Sequence, residues 1–272
     1  MSQASSLIDP VRLQALLGDA NARFHLELLA ECPSTNTRLL GPDYADAPGG
    51  SVVVADRQTA GRGSRGRRWF ASPEASLTFS LLWRFSGGLE KLSGLSLAVG
   101  LAVVEAIDAC GGAQAAERVK LKWPNDIVHR GAKLGGILVE LQATEHEAVA
   151  VIGIGLNLRL PDNIAADETM ALAPTALDRV AAVPPAREAL LAAILTALAA
   201  ILDRFGEDGF AALRDAWQAR NAWQDKPVRL LREGRVEVEG VCRGADADGA
   251  LLVQTPAGTQ RCLSGDLSLR AP

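Results

Sequence analysis

Twelve residues, Arg57 to Arg68 (RQTAGRGSRGRR), hold five arginines and three glycines in a chain whose formal net charge is −4. Guanidinium groups this close repel one another unless an anion joins them, and each can grip two oxygens of a phosphate or carboxylate at once. Glycines let backbone N–H groups approach the same guest. The pattern points to a loop that orders over a polyanionic ligand, with a solvated basic turn as the plainer alternative. Gly61-Arg62-Gly63-Ser64-Arg65-Gly66 spells G-x-G-x-x-G. The dinucleotide motif of that form must open a helix, however, and here Trp69-Phe70-Ala71-Ser72-Pro73 and then a strand pattern follow. A Walker-type phosphate loop needs Lys-Ser/Thr where Arg67-Arg68 stand.

Three further segments could join this chemistry. Lys122-Trp123-Pro124-Asn125-Asp126 sets a carboxylate just beyond a strand end. There it can hold Mg²⁺ or a lysine, or simply close an Asn-Asp turn. Lys133 precedes Gly135-Gly136 and an apolar run, and either reaches into a cleft or lies at a surface turn. Gly153-Ile154-Gly155-Leu156-Asn157 puts small residues on a strand and then an amide that can satisfy a polar ligand. Cys32, Cys110, Cys242 and Cys262 lack metal-ligand spacing, and His25, His129 and His146 are isolated. The cysteines read as buried, reduced thiols of a cytosolic protein, and a His-based metal site or triad is not expected.

The elements that must position these residues follow from periodicity. Helical spacing predicts helices over Val11–Leu17, Asn36–Leu40 (Ser34 or Thr35 as N-cap), Leu92–Ala109, Pro185–Phe205 and Gly209–Arg220. Strands are predicted over Ser51–Ala55, Ser76–Trp83, Val119–Trp123, Gly136–Gln142 and Ala148–Leu158. Asp162 to Pro185 has no clear period and reads as a functional lid. After Trp223, five short strands punctuated by Glu233-Gly234, Asp248-Gly249 and Ala257-Gly258 predict a small barrel appended to an α/β body.

The totals agree. The chain has 272 residues, 48% hydrophobic and 4% aromatic, enough for one large or two modest domains with an aliphatic core. The overall charge argues against a general nucleic-acid binder. No secretory signal opens the chain, and the richest apolar run, Ala189–Leu202, is too short to span a bilayer.

Taken together, Ser34-Thr35-Asn36, Gln58–Trp69 (QTAGRGSRGRRW), Lys122–Asp126 (KWPND), Lys133–Glu140 (KLGGILVE) and Gly153–Asn157 (GIGLN) resemble the biotin–protein ligases. Lys226-Pro227-Val228, Arg243-Gly244, Gly249–Leu252 and Gly265–Arg270 resemble that family's C-terminal domain, so the resemblance covers nearly the whole chain. It implies an α+β fold, with a catalytic core of the class II aminoacyl-tRNA synthetase type over 1–223 and an SH3-like barrel over 224–272. It implies two reactions. Biotin and MgATP give biotinyl-5′-AMP and pyrophosphate; a lysine of a biotin carboxyl carrier protein then takes the biotin as an amide.

Carried over by motif, Ser34, Thr35, Asn36 and Gln58 would bind biotin, largely at its ureido end. Gly61, Arg62 and Gly63 would close over biotin and the adenylate, and Arg65, Arg67 and Trp69 would serve ATP. Lys133 would sit between the biotin carboxylate and the α-phosphate, with Gly136 and Gly155 forming the biotin floor and Asn157 nearby on the ATP side. Asn125 and Asp126 would position nucleotide or Mg²⁺, and Arg270 would reach ATP from the barrel. Lys133, Arg62, Arg67 and Asp126 are the expected catalytic set. Ser64 stands where many relatives carry Arg, and residues 159–185 hold no Trp of the kind that covers the adenine in some relatives. Only 33 residues precede Ser34, too few for the winged helix-turn-helix of some relatives. The expectation is therefore a cytoplasmic ligase that binds neither DNA nor membrane and, as in some relatives, pairs as a homodimer through a sheet edge. Two alternatives remain at this stage: a lipoate–protein ligase-like enzyme, and a non-catalytic biotin-binding module in which Lys133 would be dispensable.

Overall fold

Strand β2 shows how the fold is decided. Along Ser51–Gln58, Val52 and Val54 enter the large core while Val53 and Ala55 join a smaller cluster on the opposite face, as the two-residue period of a strand requires. The structure, a computed structural model, describes residues 5, 7–70, 72–111, 119–143, 147–160, 172–181, 183–263 and 267–270. β2 belongs to a seven-stranded sheet built with β1 (His25–Cys32), β3 (Ser76–Ser86), β4 (Val119–Lys122), β5 (Asp126–His129), β6 (Ala132–Ala143) and β7 (Glu147–Asn157). Its order is β1-β2-β3-β7-β6-β5-β4. The β1–β2 pair is parallel and the others are antiparallel, so the sheet is mixed.

Helices cover one face of this sheet. They are α1 (Pro10–Leu17), α3 (Leu95–Gly111) and α4 (Arg187–Asp208), with α5 (Arg214–Arg220) near the sheet's far end; α2 (Thr35–Leu39) lies on the other face. α1 starts where Pro10 follows Asp9, whose carboxylate accepts from the Val11 and Arg12 amides at 2.9 and 3.3 Å. Leu97 and Leu101 of α3 and Leu190, Ile194 and Leu198 of α4 share one buried core with Leu77, Phe79 and Leu81 of β3 and Ile152 and Ile154 of β7. α4 is longer than its apolar run foretold: its 22 residues are long and apolar enough to cross a membrane, but its Leu and Ile side chains are buried in this core.

The C-terminal strands β8 (Pro227–Arg232), β9 (Arg235–Ala245), β10 (Leu251–Thr255), β11 (Gly258–Cys262) and β12 (Ser268–Arg270) form a five-stranded antiparallel sheet, ordered β11-β10-β9-β8-β12. Glu233 and Gly234 both take positive φ (48° and 80°) at the β8–β9 turn, the backbone form that tight hairpins favour. The sheet meets the larger unit at several points, of which Gly249 is a close one. Trp123 Nε1 donates to the Gly249 carbonyl at 3.0 Å, and a Cβ at Gly249 would stand 2.7 Å from the Gly94 Cα.

Two strands escaped the periodicity. β1 reads HLELLAEC, with a run of apolar residues at 28, 29 and 30 that breaks alternation, and only Leu29 and Cys32 are fully buried at this sheet edge. β5 begins at Asp126, a residue the sequence places in a turn; pairing with β4 and β6 makes it a strand. β6 likewise starts at Ala132, so Lys133 lies within a strand and not at a surface turn.

Candidate functional site

The same alternation builds the site. On β3, Thr78 and Ser80 point away from the α3–α4 core; on β7, Gly153, Gly155 and Asn157 do so, and on β6, Gly136, Leu138 and Glu140. Register brings them together: Thr78 pairs with Gly155, Ser80 with Gly153, and Gly155 in turn with Gly136. The glycines leave a floor on which other side chains rest. A Cβ at Gly153 would stand 2.2 Å from Asn36 Oδ1, and one at Gly155 would stand 2.4 Å from the Trp69 indole. A cavity of about 480 Å³ opens above this floor.

One end of the cavity is a polar network carried by α2, with the Glu140 carboxylate at its edge. Ser34 caps the helix, its Oγ accepting from the Thr37 amide at 3.4 Å. The Thr35 amide donates to Gln58 Oε1 at 2.7 Å, and Ser80 Oγ donates to Asn36 Oδ1 at 2.5 Å. Asn36 Nδ2 donates to Glu140 Oε2 at 2.9 Å. These amides and hydroxyls are fixed by one another.

The other end is ionic. Asp126 is buried, and its oxygens accept from Lys133 Nζ (2.5 Å) and Lys122 Nζ (3.0 Å). Burial alone would raise the Asp126 pKa, but the two ammonium groups bring it down to about 2. Both oxygens are thus engaged by lysines, and among the described residues no three His, Cys, Asp or Glu side chains gather to hold a metal. Of the alternatives open to it, Asp126 here takes the one of holding a lysine. Asn157 Nδ2 donates to the carbonyls of Thr175 (2.9 Å) and Lys133 (3.4 Å), and Asn125 Nδ2 to that of Ile137 (2.8 Å). Both amides thereby brace the wall of the cavity they line.

The arginine loop roofs the cavity as a short hairpin. Arg62 and Arg68 form an antiparallel bridge, the Gly63 amide donates to the Arg67 carbonyl at 2.7 Å, and the Trp69 amide to that of Gly61 at 3.0 Å. The turn is made by Arg65 and Gly66, at φ 60° and 70°. Arg62 pairs with Glu140 and donates to Thr37 Oγ1 at 3.1 Å, which latches the roof to α2 and β6. Arg67 Nη2 donates to Ser64 Oγ at 2.9 Å, so the serine at 64 braces the neighbouring arginine. Arg67 and Arg68 both line the cavity.

Not every expected residue meets here. Arg65 donates to the Leu267 carbonyl next to the C-terminal sheet, and with Gly61 it lines a second pocket formed by the hairpin, Leu138 and Glu140. Arg270 does not line the cavity, though it feels the charges of Arg67 and Asp126. Trp69 covers Gly155, the expected biotin floor, and its Nε1 donates to Thr78 Oγ1 at 3.4 Å. Of the segment read as a lid, Leu172 and Pro174 line the cavity, with the Lys133 amide donating to the Ala173 carbonyl at 2.7 Å; residues 161–171 lie outside the described residues. Thr78, Ser80, Glu140, Arg68 and Lys122 were given no role. The alternation in SLTFSLLW holds the signal for the first two, since Thr78 and Ser80 interrupt Leu77, Phe79 and Leu81 at every second place.

The chain is similar to known proteins over most of its length. Residues 29–157 match the model of the biotin/lipoate A/B protein ligase family, and residues 225–270 that of the biotin protein ligase C-terminal domain. The chain is 36% identical to a biotin–[acetyl-CoA-carboxylase] ligase of Paracoccus denitrificans over 86% of its own length and 95% of that protein's. It is 33% identical to the bifunctional ligase/repressor BirA of Escherichia coli, over 98% of this chain and 81% of that protein. Among solved structures, biotin protein ligase from Aquifex aeolicus in complex with biotin and ATP aligns at a TM-score of 0.74 and 30% identity, over 91% of this chain and 99% of that one.

Proposed function

The chain belongs to the biotin protein ligase family, and from that premise we propose how its own residues divide the work. It is an ATP-dependent ligase that attaches biotin to a biotin carboxyl carrier protein. In the first step the biotin carboxylate attacks the α-phosphorus of ATP, giving biotinyl-5′-AMP and releasing pyrophosphate. In the second, a carrier lysine attacks the acyl carbon, forming the amide and releasing AMP. The observation that carries the residue assignment is the Lys133 ammonium, set in the wall of a glycine-floored cavity under an arginine roof.

The first step brings two anions together, so cations must screen both. Lys133 lies where carboxylate and α-phosphate would meet, and Arg67 and Arg68 face the phosphates from above. Thr35, Asn36 and Gln58 hold the ureido end of biotin; Gly153 leaves room for Asn36, and Gly136 and Gly155 form the floor for the biotin ring. Trp69 and the hairpin from Arg62 to Arg68 exclude water from the mixed anhydride. Arg65 and Arg270 act from the periphery: the first ties the roof to the C-terminal sheet, and the second adds positive charge behind Asp126. Mg²⁺ would enter with the nucleotide and screen its phosphate charge.

We also divide the chain at 223/224 into a core of the class II synthetase type and an SH3-like barrel, supported by the mixed and antiparallel sheets. A homodimer is supported by β6, whose residues from Leu138 to Ala143 pair only with β7 among the described residues. Cytoplasmic location without DNA or membrane binding completes the proposal, supported by four free cysteines and by an α4 already enclosed in protein.

Incubating the protein with ATP, Mg²⁺, biotin and a carrier domain tests the function. The expected result is a mass gain of one biotinyl group on the carrier, with none when lipoate replaces biotin. Gain with lipoate alone, or none with either, overturns it.

A further inference from the structure

Lys122 has no place in the scheme above. Its side chain is 4% exposed and does not line the cavity, whereas Lys133, a quarter exposed, does. Among the described residues, the Lys122 ammonium donates to a single acceptor, Asp126 Oδ2. Burial pushes its pKa down and Asp126 pushes it up, with Arg270 and Lys133 adding to the downward push. A lysine this deep is unfavourable unless the charge does something there. Charge neutrality does not call for it, because Lys133 alone would balance Asp126.

The geometry gives it a task. To meet the carboxylate and α-phosphate oxygens, Lys133 Nζ turns its N–H donors away from Asp126 Oδ1, which holds it at 2.5 Å. If Lys133 were the only partner, that movement would strand a buried carboxylate, a state protein interiors resist. With Lys122 on the other oxygen, Asp126 stays paired whichever way Lys133 points. We propose that Lys122 is a positioning residue of the ligase: it keeps the Asp126 carboxylate compensated, so that Lys133 can pass from Asp126 to the reacting anions. The inference rests on the assignment of Lys133 above. Lys122 touches no reactant, and the charge it supplies makes the Lys133–Asp126 contact exchangeable instead of locked.

ATP–pyrophosphate exchange with biotin, together with thermal unfolding, tests this on the full chain. In Lys122→Met, Asp126 has only Lys133 and pins it; kcat should fall on the order of 10-fold or more while the KM for biotin stays within about 2-fold. Adding Asp126→Asn removes the pin, so the double variant should exchange faster than Lys122→Met alone. A merely structural role gives the reverse order, because two losses add. Lys122→Arg keeps the charge and should hold kcat within about 3-fold. An unchanged kcat in Lys122→Met, or a double variant no faster than the single one, overturns the inference. Should Lys122→Met fail to fold, the double variant, which buries neither charge, decides: kcat above about one tenth of the unaltered value supports the inference, and a lower value overturns it. Lys133→Ala is measured alongside. If it exchanges at the unaltered rate, the site assignment fails; if it is impaired and Lys122→Met is not, only this inference fails.

Discussion

Along β3, Leu77, Phe79 and Leu81 face α3 and α4, while Thr78 and Ser80 face the cavity and α2; along β7, Ile152 and Ile154 face the helices, while Gly153 and Gly155 face the cavity. The same strands therefore serve two different physical tasks. On the helix side, close packing of aliphatic chains supplies stability, and one side chain can replace another of similar volume. On the cavity side of these strands, side chains are withheld or made polar, and the polar ones are tied to named partners. Stability and chemistry are separated by the thickness of one sheet, and substitutions one residue apart should report on different properties.

The largest contrast is expected at Leu81, fully buried on the helix side. Leu81→Ala should cost about 2–5 kcal/mol of folding stability, read by denaturant unfolding, with the exchange rate per folded molecule unchanged. Lys133→Ala should do the opposite: adenylate formation falls by on the order of 10²-fold while the melting temperature barely moves. A large stability loss there would break the comparison. Gly155→Ala places a methyl against the Trp69 indole. The ring must move, and the KM for biotin should rise about 10-fold, with a smaller change for ATP. Arg67→Ala sharpens the assignment within the roof: the KM for ATP should rise several-fold more than that for biotin. Equal effects would count against it. The smallest effect is in acid. Asp126 titrates near 2 when folded, below the ordinary carboxylate range near 4. Its contribution to stability is thus complete above about pH 4 and is lost as pH falls toward 2, and Asp126→Asn should flatten that part of the stability–pH curve.

The helices, the cavity strands β3 and β7 and the C-terminal hairpins were legible in the sequence because each has a clean period or a Gly-marked turn. β1 was not, because Leu28 and Leu29 break its alternation and its structure depends on a parallel partner, β2. β5 was not, because Asn125-Asp126 is turn chemistry that two neighbouring strands override. In the site, the glycines and cations could be named from local pattern. Their partners could not: Asn36 meets Glu140 from 104 residues away and Arg65 meets Leu267 from 202 away, contacts that only the tertiary fold decides. The paired lysines on Asp126 show the same limit. KWPND displays the carboxylate, but nothing local says that both its oxygens are taken.

The Trp123–Gly249 joint has a practical side. Since the last strand carries Arg270 and the Leu267 carbonyl anchors Arg65, whatever tugs on the C terminus tugs on the roof of the cavity. Reporter or affinity fusions belong at the other end of the chain. A glycine-to-alanine wedge at 249, by prising Gly249 off Gly94, offers a dial for loosening the strap without touching any residue beneath it.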